Sequence, residues 1–156
     1  MSGDRRENSV RIPNQYIAVD LETTGLDPKR DRIIEIGAIR VENGQKTASF
    51  HTMVNPRRTL EERIVQLTGI SDEMVENAPD IGDKIGEFLD FCGQLPLLGH
   101  HVIFDYSFLK RAAVNQGLEF ERTGLDTLQL CRRFMPQEEK KNLEAACGFF
   151  EIQRQG

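Results

Sequence analysis

The dipeptide Asn43-Gly44, set between two apolar-rich runs, constrains this chain more than any other feature. Both residue types accept positive φ, so the pair closes a two-residue turn whose twist matches that of the strands it joins. It predicts a hairpin of Ile33–Glu42 and Gln45–Val54, closed by Pro56. Upstream, Tyr16, Ile17, Ala18 and Val19 form a β-prone run that ends by Gly25 and reads as a buried strand, followed by a turn-like "DPKRD". Helical spacing takes over later. Ser71 and Asp80 read as N-caps, and Ile81, Ile85, Phe88, Leu89 and Cys92 fall on one helical face. "LPLLGH" reads as a short buried strand, and "FDYSFLKRAAVNQG" as a helix stopped at Gly117. Further helices are expected over "LDTLQLCRRFMP", with Asp126 as its cap, and over "NLEAACGFF". Strands first, then helices alternating with strands, predict an α/β fold with a mixed sheet.

The length of 156 residues fits one domain, read as a loose polar arm over 1–13 and a folded domain over 14–156. Such a domain is large enough to bury a core without staples. The net charge of −5, from 20 basic and 25 acidic residues, excludes a generally basic nucleic-acid coat. It does not exclude an enzyme acting on nucleic acid, because divalent cations offset local carboxylates. No run approaches the ~20 apolar residues of a membrane span, and the N-terminus lacks the apolar region of a secretory signal. Cys92, Cys131 and Cys147 are odd in number and far apart, which suggests neither a zinc site nor a disulfide framework and predicts a reducing, cytoplasmic setting.

Asp20 and Glu22 sit two apart at the end of the first strand, so both carboxylates point to one face. Two anions on a core strand repel unless a cation lies between them, and hard oxygen ligands suit Mg²⁺ or Mn²⁺. The alternative is that both acids lie beyond the strand in solvent. Thr23, Thr24 and Gly25 follow, offering hydroxyls and backbone N–H groups to phosphate oxygens, or forming an ordinary Thr-rich turn. Asp105 opens a helix, as a plain N-cap or as a further acid of the same site. His100 and His101 lie close by, one of them a candidate core histidine and either a candidate base. Arg132, Arg133, Lys140 and Lys141 read as a solvated helical face, with a phosphate-contacting rim as the alternative.

These residues carry a resemblance. "YIAVDLETTGLDPKRDRIIEIGAIRVENG" resembles the first motif of the 3′–5′ exonucleases that have an Asp-Glu-Asp-Asp metal site and a catalytic histidine, the family of the proofreading subunit of bacterial DNA polymerase III. "VNPRRTLEERIVQLTGISDEMV" is similar to its linker, and "LLGHHVIFDYSFLKRAAVNQG" to its second motif, so the likeness covers roughly residues 15–150. It implies a ribonuclease-H-like fold, a mixed five-stranded sheet flanked by helices. It implies Mg²⁺ or Mn²⁺ held by Asp20, Glu22 and Asp105, and a nucleic-acid 3′ end as substrate, with a DNA polymerase subunit as a further partner. Thr23 and Thr24 would meet the 3′-terminal nucleotide, Leu26 would pack on its base, and His100 and Phe104 would complete the substrate site.

Two departures stand out. His101 occupies the position where the family usually has Asn. No histidine follows His101 and no aspartate follows Asp126, so the third motif, which supplies the base and the fourth acid, is not found in these residues. The implied reaction is phosphodiester hydrolysis with two ions ~3.5–4 Å apart. The expectation is a C-terminally short domain, impaired or inactive alone, exposing an apolar patch and tending to self-associate. The competing readings are a catalytically inactive nucleic-acid-binding or polymerase-associated module and a metal-dependent phosphohydrolase of small esters.

Overall fold

The computed structural model describes residues 13–121 and the backbone of 124–126. Residues 1–12 of the expected arm over 1–13, the helix over "NLEAACGFF", Cys131, Cys147 and the basic group of Arg132, Arg133, Lys140 and Lys141 lie outside the described residues. The elements run β1 (Gln15–Thr23), β2 (Ile33–Glu42), β3 (Gln45–Met53), α1 (Glu62–Thr68), α2 (Asp72–Val75), α3 (Ile81–Cys92), β4 (Leu97–Gly99), α4 (Val102–Asn115) and β5 (Gly124–Asp126). Among the described residues no helix is long and apolar enough to cross a membrane.

Among the described residues the sheet has five strands, in the order β3-β2-β1-β4-β5. β2 is antiparallel to both β1 and β3, whereas β4 is parallel to β1 and to β5, so the sheet is mixed as expected. Asn43 and Gly44 adopt φ of 54° and 79°, the double positive φ that a two-residue hairpin turn requires. β1 runs to Thr23, with Asp20 and Glu22 at its end as expected, and β2 pairs with it along that whole length. Two irregularities interrupt the ladders. One lies between Glu22 and Thr23 and leaves Ile34 of β2 unmatched; the other passes over Thr47 of β3. Such bulges bend a strand and re-aim the residues beside them.

Alternation then sorts the faces. Ile17, Val19 and Leu21 of β1 point toward α3 and α4, where Ile85, Phe88, Cys92, Phe108, Leu109 and Ala112 complete the main core. Each fully buried Leu, Ile or Phe there contributes roughly 1.5–3 kcal/mol. The predicted face of α3 is the buried one. The bulged Ile34 instead joins Leu60, Ile64, Ile70 and Val75 in a second cluster with α1 and α2. α4 ends as predicted near Gly117 (φ 72°): the Gly117 N–H donates to the Val114 carbonyl and the Leu118 N–H to Ala113, the paired bonds of a Schellman motif.

Two expectations are corrected. Leu125 and Asp126, expected to open the helix over "LDTLQLCRRFMP", form β5 instead, with Asp126 opposite Gly99 in a parallel ladder; the rest of that stretch lies outside the described residues. The edge of β4 presents backbone donors and acceptors that a neighbouring segment satisfies by pairing, and that tertiary demand draws Gly124–Asp126 into the sheet. Asp105 is not an N-cap either. His101 holds that position, and Asp105 lies inside the first turn, its N–H bonded to the His101 carbonyl at 3.0 Å. Burial of Val102 draws the helix start forward of where the motif alone placed it.

Candidate active site

With Ile17, Val19 and Leu21 committed to the core, Asp20 and Glu22 are presented together on the opposite face of β1. Asp20 is exposed and stands opposite Gly37; Glu22 is half-buried and stands opposite Glu35. The third acid comes from another element. Asp105 is only 5% exposed, on the first turn of α4. Its approach to β1 depends on Gly99. A Cβ at Gly99 would lie 3.2 Å from the Val19 carbonyl oxygen and 3.3 Å from Asp105 Oδ2. A side chain there would wedge apart the Asp105 carboxylate and the peptide that leads into Asp20, so glycine permits the close approach.

The loop after β1 is built around Asp31. Thr24, 5% exposed, donates from Oγ1 to Asp31 Oδ1 at 3.1 Å and accepts the Arg32 N–H at 2.9 Å. Asp31 Oδ2 accepts the Asp27 N–H at 3.0 Å. Thr23 Oγ1 donates to the Gly25 carbonyl at 2.7 Å. Both threonine hydroxyls are therefore donors within the loop itself, rather than donors held open toward a phosphate. Leu26 stands at the loop tip, 84% exposed, as a side chain free to meet an apolar surface.

His100 and His101 form the connection from β4 to α4, with their rings edge-on at 5.0 Å between centroids. Phe104 is half-buried against the main core and its ring lies 4.9 Å from that of Phe108, so at least one of its faces serves packing. Sequence reasoning passed over one pair on this side of the sheet. Glu35 Oε2 and His51 Nε2 are 2.6 Å apart, with Glu35 directly across from Glu22. The alternation of β2 places Glu35 on that face; the skip at Thr47, which hairpin spacing does not disclose, puts His51 opposite Gly37.

Chemically, the set Asp20, Glu22 and Asp105 is an all-carboxylate, hard-oxygen donor set of the kind Mg²⁺ and Mn²⁺ prefer. The elements bring all three to the same end of β1, and in donor chemistry they fit such ions. Among the described residues, however, no three His, Cys, Asp or Glu side chains are drawn close enough to form a metal cage by themselves.

A profile of the family described as Exonuclease matches residues 17–156. A DNA polymerase III PolC-type protein of Caldanaerobacter subterraneus subsp. tengcongensis is 38% identical over 146 residues, covering 94% of this chain. Its counterpart in Bacillus subtilis strain 168 is 38% identical over 141 residues, covering 88% of this chain. The chain spans about 10% of the length of these two curated relatives. Among solved structures, Exonuclease X in complex with 5′ overhanging duplex DNA superposes with a TM-score of 0.67 at 25% identity, covering 90% of this chain and 75% of that one. The expected ribonuclease-H-like architecture is thereby borne out.

Proposed function

This chain belongs to the exonuclease family, and from that membership we propose that it hydrolyses phosphodiester bonds at the 3′ end of a nucleic-acid strand. Asp20, Glu22 and Asp105 would hold Mg²⁺ or Mn²⁺. The observation that carries the proposal is the glycine at position 99, which lets a buried aspartate of α4 abut the strand that presents Asp20 and Glu22. Divalent ions, when bound, supply the clamp that stabilises charge on the attacking and leaving oxygens. The chain's own contribution is placement. Asp20 and Glu22 ride on a strand paired on both sides, and Asp105 rides on a helix anchored in the core, so the acids are held on rigid elements rather than on loops. Leu26 offers an apolar surface to the terminal base, the loop backbone at Thr23 and Thr24 meets the terminal nucleotide, and His100 and Phe104 flank it.

The relatives are DNA polymerases, and this chain matches a small part of each. The reading extended to them is that the domain trims the 3′ end on which a polymerase acts. A positioned base contributes ~10²–10⁴-fold. The resemblance puts that base and a fourth acid after the residues that match here, so a polypeptide of these 156 residues is proposed to turn over slowly. The second reading is a module of the same fold that binds nucleic acid without cleaving it.

The test is a nuclease assay with Mn²⁺ on a 5′-labelled single-stranded oligonucleotide. A ladder shortening from the 3′ end, abolished by Asp20→Ala, supports the exonuclease. Binding without a ladder supports the second reading. Cleavage of a nucleoside monophosphate ester without any ladder assigns a small-ester phosphohydrolase instead. Calorimetric Mn²⁺ binding, weakened in Asp20→Ala, reads the metal site independently of turnover.

A further inference from the structure

The net charge of −5 hides a local reversal beside the acids. β1 and β3 are both antiparallel to β2, so they run in the same direction and their exit loops leave the same end of the sheet. The first loop carries Lys29, Arg30 and Arg32; the second carries Arg57 and Arg58. The two loops are joined. Arg58 donates from Nη2 to the Arg30 carbonyl at 2.8 Å, and its Nη1 lies 3.8 Å from Asp31 Oδ1. Arg57 is committed to Asp80 through two contacts, at 2.5 and 2.9 Å. The others are not so committed. Arg30 reaches Asp27 only at 3.8 Å, from an exposed position. Among the described residues Lys29 and Arg32 make no ion pair. Among the described residues the ion pairs of Lys29, Arg30, Arg32 and Arg58 are those with Asp27 and Asp31, both at 3.8 Å, and Leu26 projects from the same loop, 84% exposed.

We propose that this joined loop surface, Lys29, Arg30, Arg32 and Arg58, carries the sugar–phosphate backbone of a single-stranded polynucleotide on the upstream side of the end that reaches Asp20 and Glu22, with Leu26 left to the terminal base. The proposal rests on the exonuclease reading for its direction, but the surface itself stands on charge and placement. Exposed cations clustered on one surface suit a sequence-tolerant single-strand site, because the phosphates they meet are the same whatever the bases. A cleft of carboxylates repels an approaching polyanion. A cationic rim beside it raises the local concentration of substrate and orients it toward the acids. Asp31 serves the same surface from within, because its carboxylate is spent on Thr24 and the Asp27 N–H and holds the loop in one shape.

The experiment measures binding of a fluorescein-labelled 12-nucleotide single strand by anisotropy, in EDTA so that no turnover occurs, across a salt series. The variant Lys29→Gln/Arg30→Gln/Arg32→Gln is compared with a control of equal charge change placed elsewhere, Lys46→Gln/Lys84→Gln/Arg111→Gln. Each phosphate contact on a single strand adds about 0.7 to the slope of log K against log salt, so losing three lowers the slope by about two. The expected result is that drop in the loop variant alone, with circular dichroism and urea midpoint unchanged. An unmoved slope in the loop variant overturns the proposal, and so does an equal drop in the control, which reduces binding to net charge. If the unmodified chain binds with this loop-dependent slope yet yields no ladder with Mn²⁺, the surface stands and the nuclease reading falls. If it cleaves while the loop variant binds unchanged, the nuclease reading stands and the surface falls.

Discussion

Thr24 Oγ1 donates a 3.1 Å hydrogen bond to Asp31 Oδ1, latching the two ends of the loop that follows Asp20 and Glu22. The latch leaves no space beneath it. A Cβ on Gly25 would sit 2.4 Å from Asp31 Oδ2, so Gly25→Ala must push the carboxylate off Thr24 and off the Asp27 N–H. Losing a hydrogen bond to a charged group costs about 1.5–3 kcal/mol. Urea unfolding of Gly25→Ala should show a loss of that order, and hydrogen exchange should show faster opening over residues 24–32. Unchanged values in both would mean that the carboxylate relocates at no cost.

Asp105 separates function from stability. It is buried, and a buried carboxylate is costly to keep charged. Asp105→Asn keeps the volume and removes the charge. The expected outcome is a variant that still unfolds cooperatively in urea. Mn²⁺ affinity should fall by more than the ~10–100-fold typical of outer-shell partners. A variant that loses stability but keeps Mn²⁺ affinity would make Asp105 a structural residue.

Asp80 gives a pH prediction. The Arg57 guanidinium, hydrogen-bonded to it, holds the Asp80 carboxyl below the usual aspartate range. Lys110, with Tyr106 adding to it, does the same for Glu121. A carboxyl with a depressed folded pKa adds stability above its unfolded value, near ~4, and that contribution disappears as pH falls through the folded value. Asp80 is half-exposed and Glu121 exposed, so the effect is screened by salt. Urea midpoints of the parent chain and Asp80→Asn should differ at pH 6 and low salt and converge toward pH 2; parallel curves would refute the linkage.

The main core supplies the scale for these effects. Phe88 is fully buried and its ring meets Phe50 edge-on at 5.5 Å. Phe88→Ala should cost about 3–5 kcal/mol. Leu67→Ala, at a highly exposed position of α1, should stay within about 0.5 kcal/mol. Denaturant unfolding of the two variants checks both values.

Much of the site was legible because its parts are local. The spacing of Asp20 and Glu22 on a strand decides that they share a face, whatever packs around them. Asn43-Gly44 decides that a hairpin follows. The part that was not legible joins distant segments. Nothing near Gly99 announces that its missing side chain sets the distance between β1 and Asp105. Nothing near Asp126 announces that β4 has an edge to be filled. Likewise, the sequence leaves the hydroxyls of Thr23 and Thr24 open between a ligand and an ordinary turn, and only the fold brings Asp31 to Thr24.

The amino-acid sequence alone settled the type of each strand and helix reported above, apart from β5, and the two sides of β1, since those follow from backbone preference and side-chain period. Tertiary structure alone settled register and approach. The turn pairs Glu42 with Gln45, and carrying that spacing onward would set Gly37 against Phe50; the skip over Thr47 sets it against His51 and frees Phe50 for the core. A shift of one residue reverses the face of every side chain beyond it. Only the long-range demand to bury Phe50 against Phe88 and Phe91, felt once the sheet meets its helices, selects between the two.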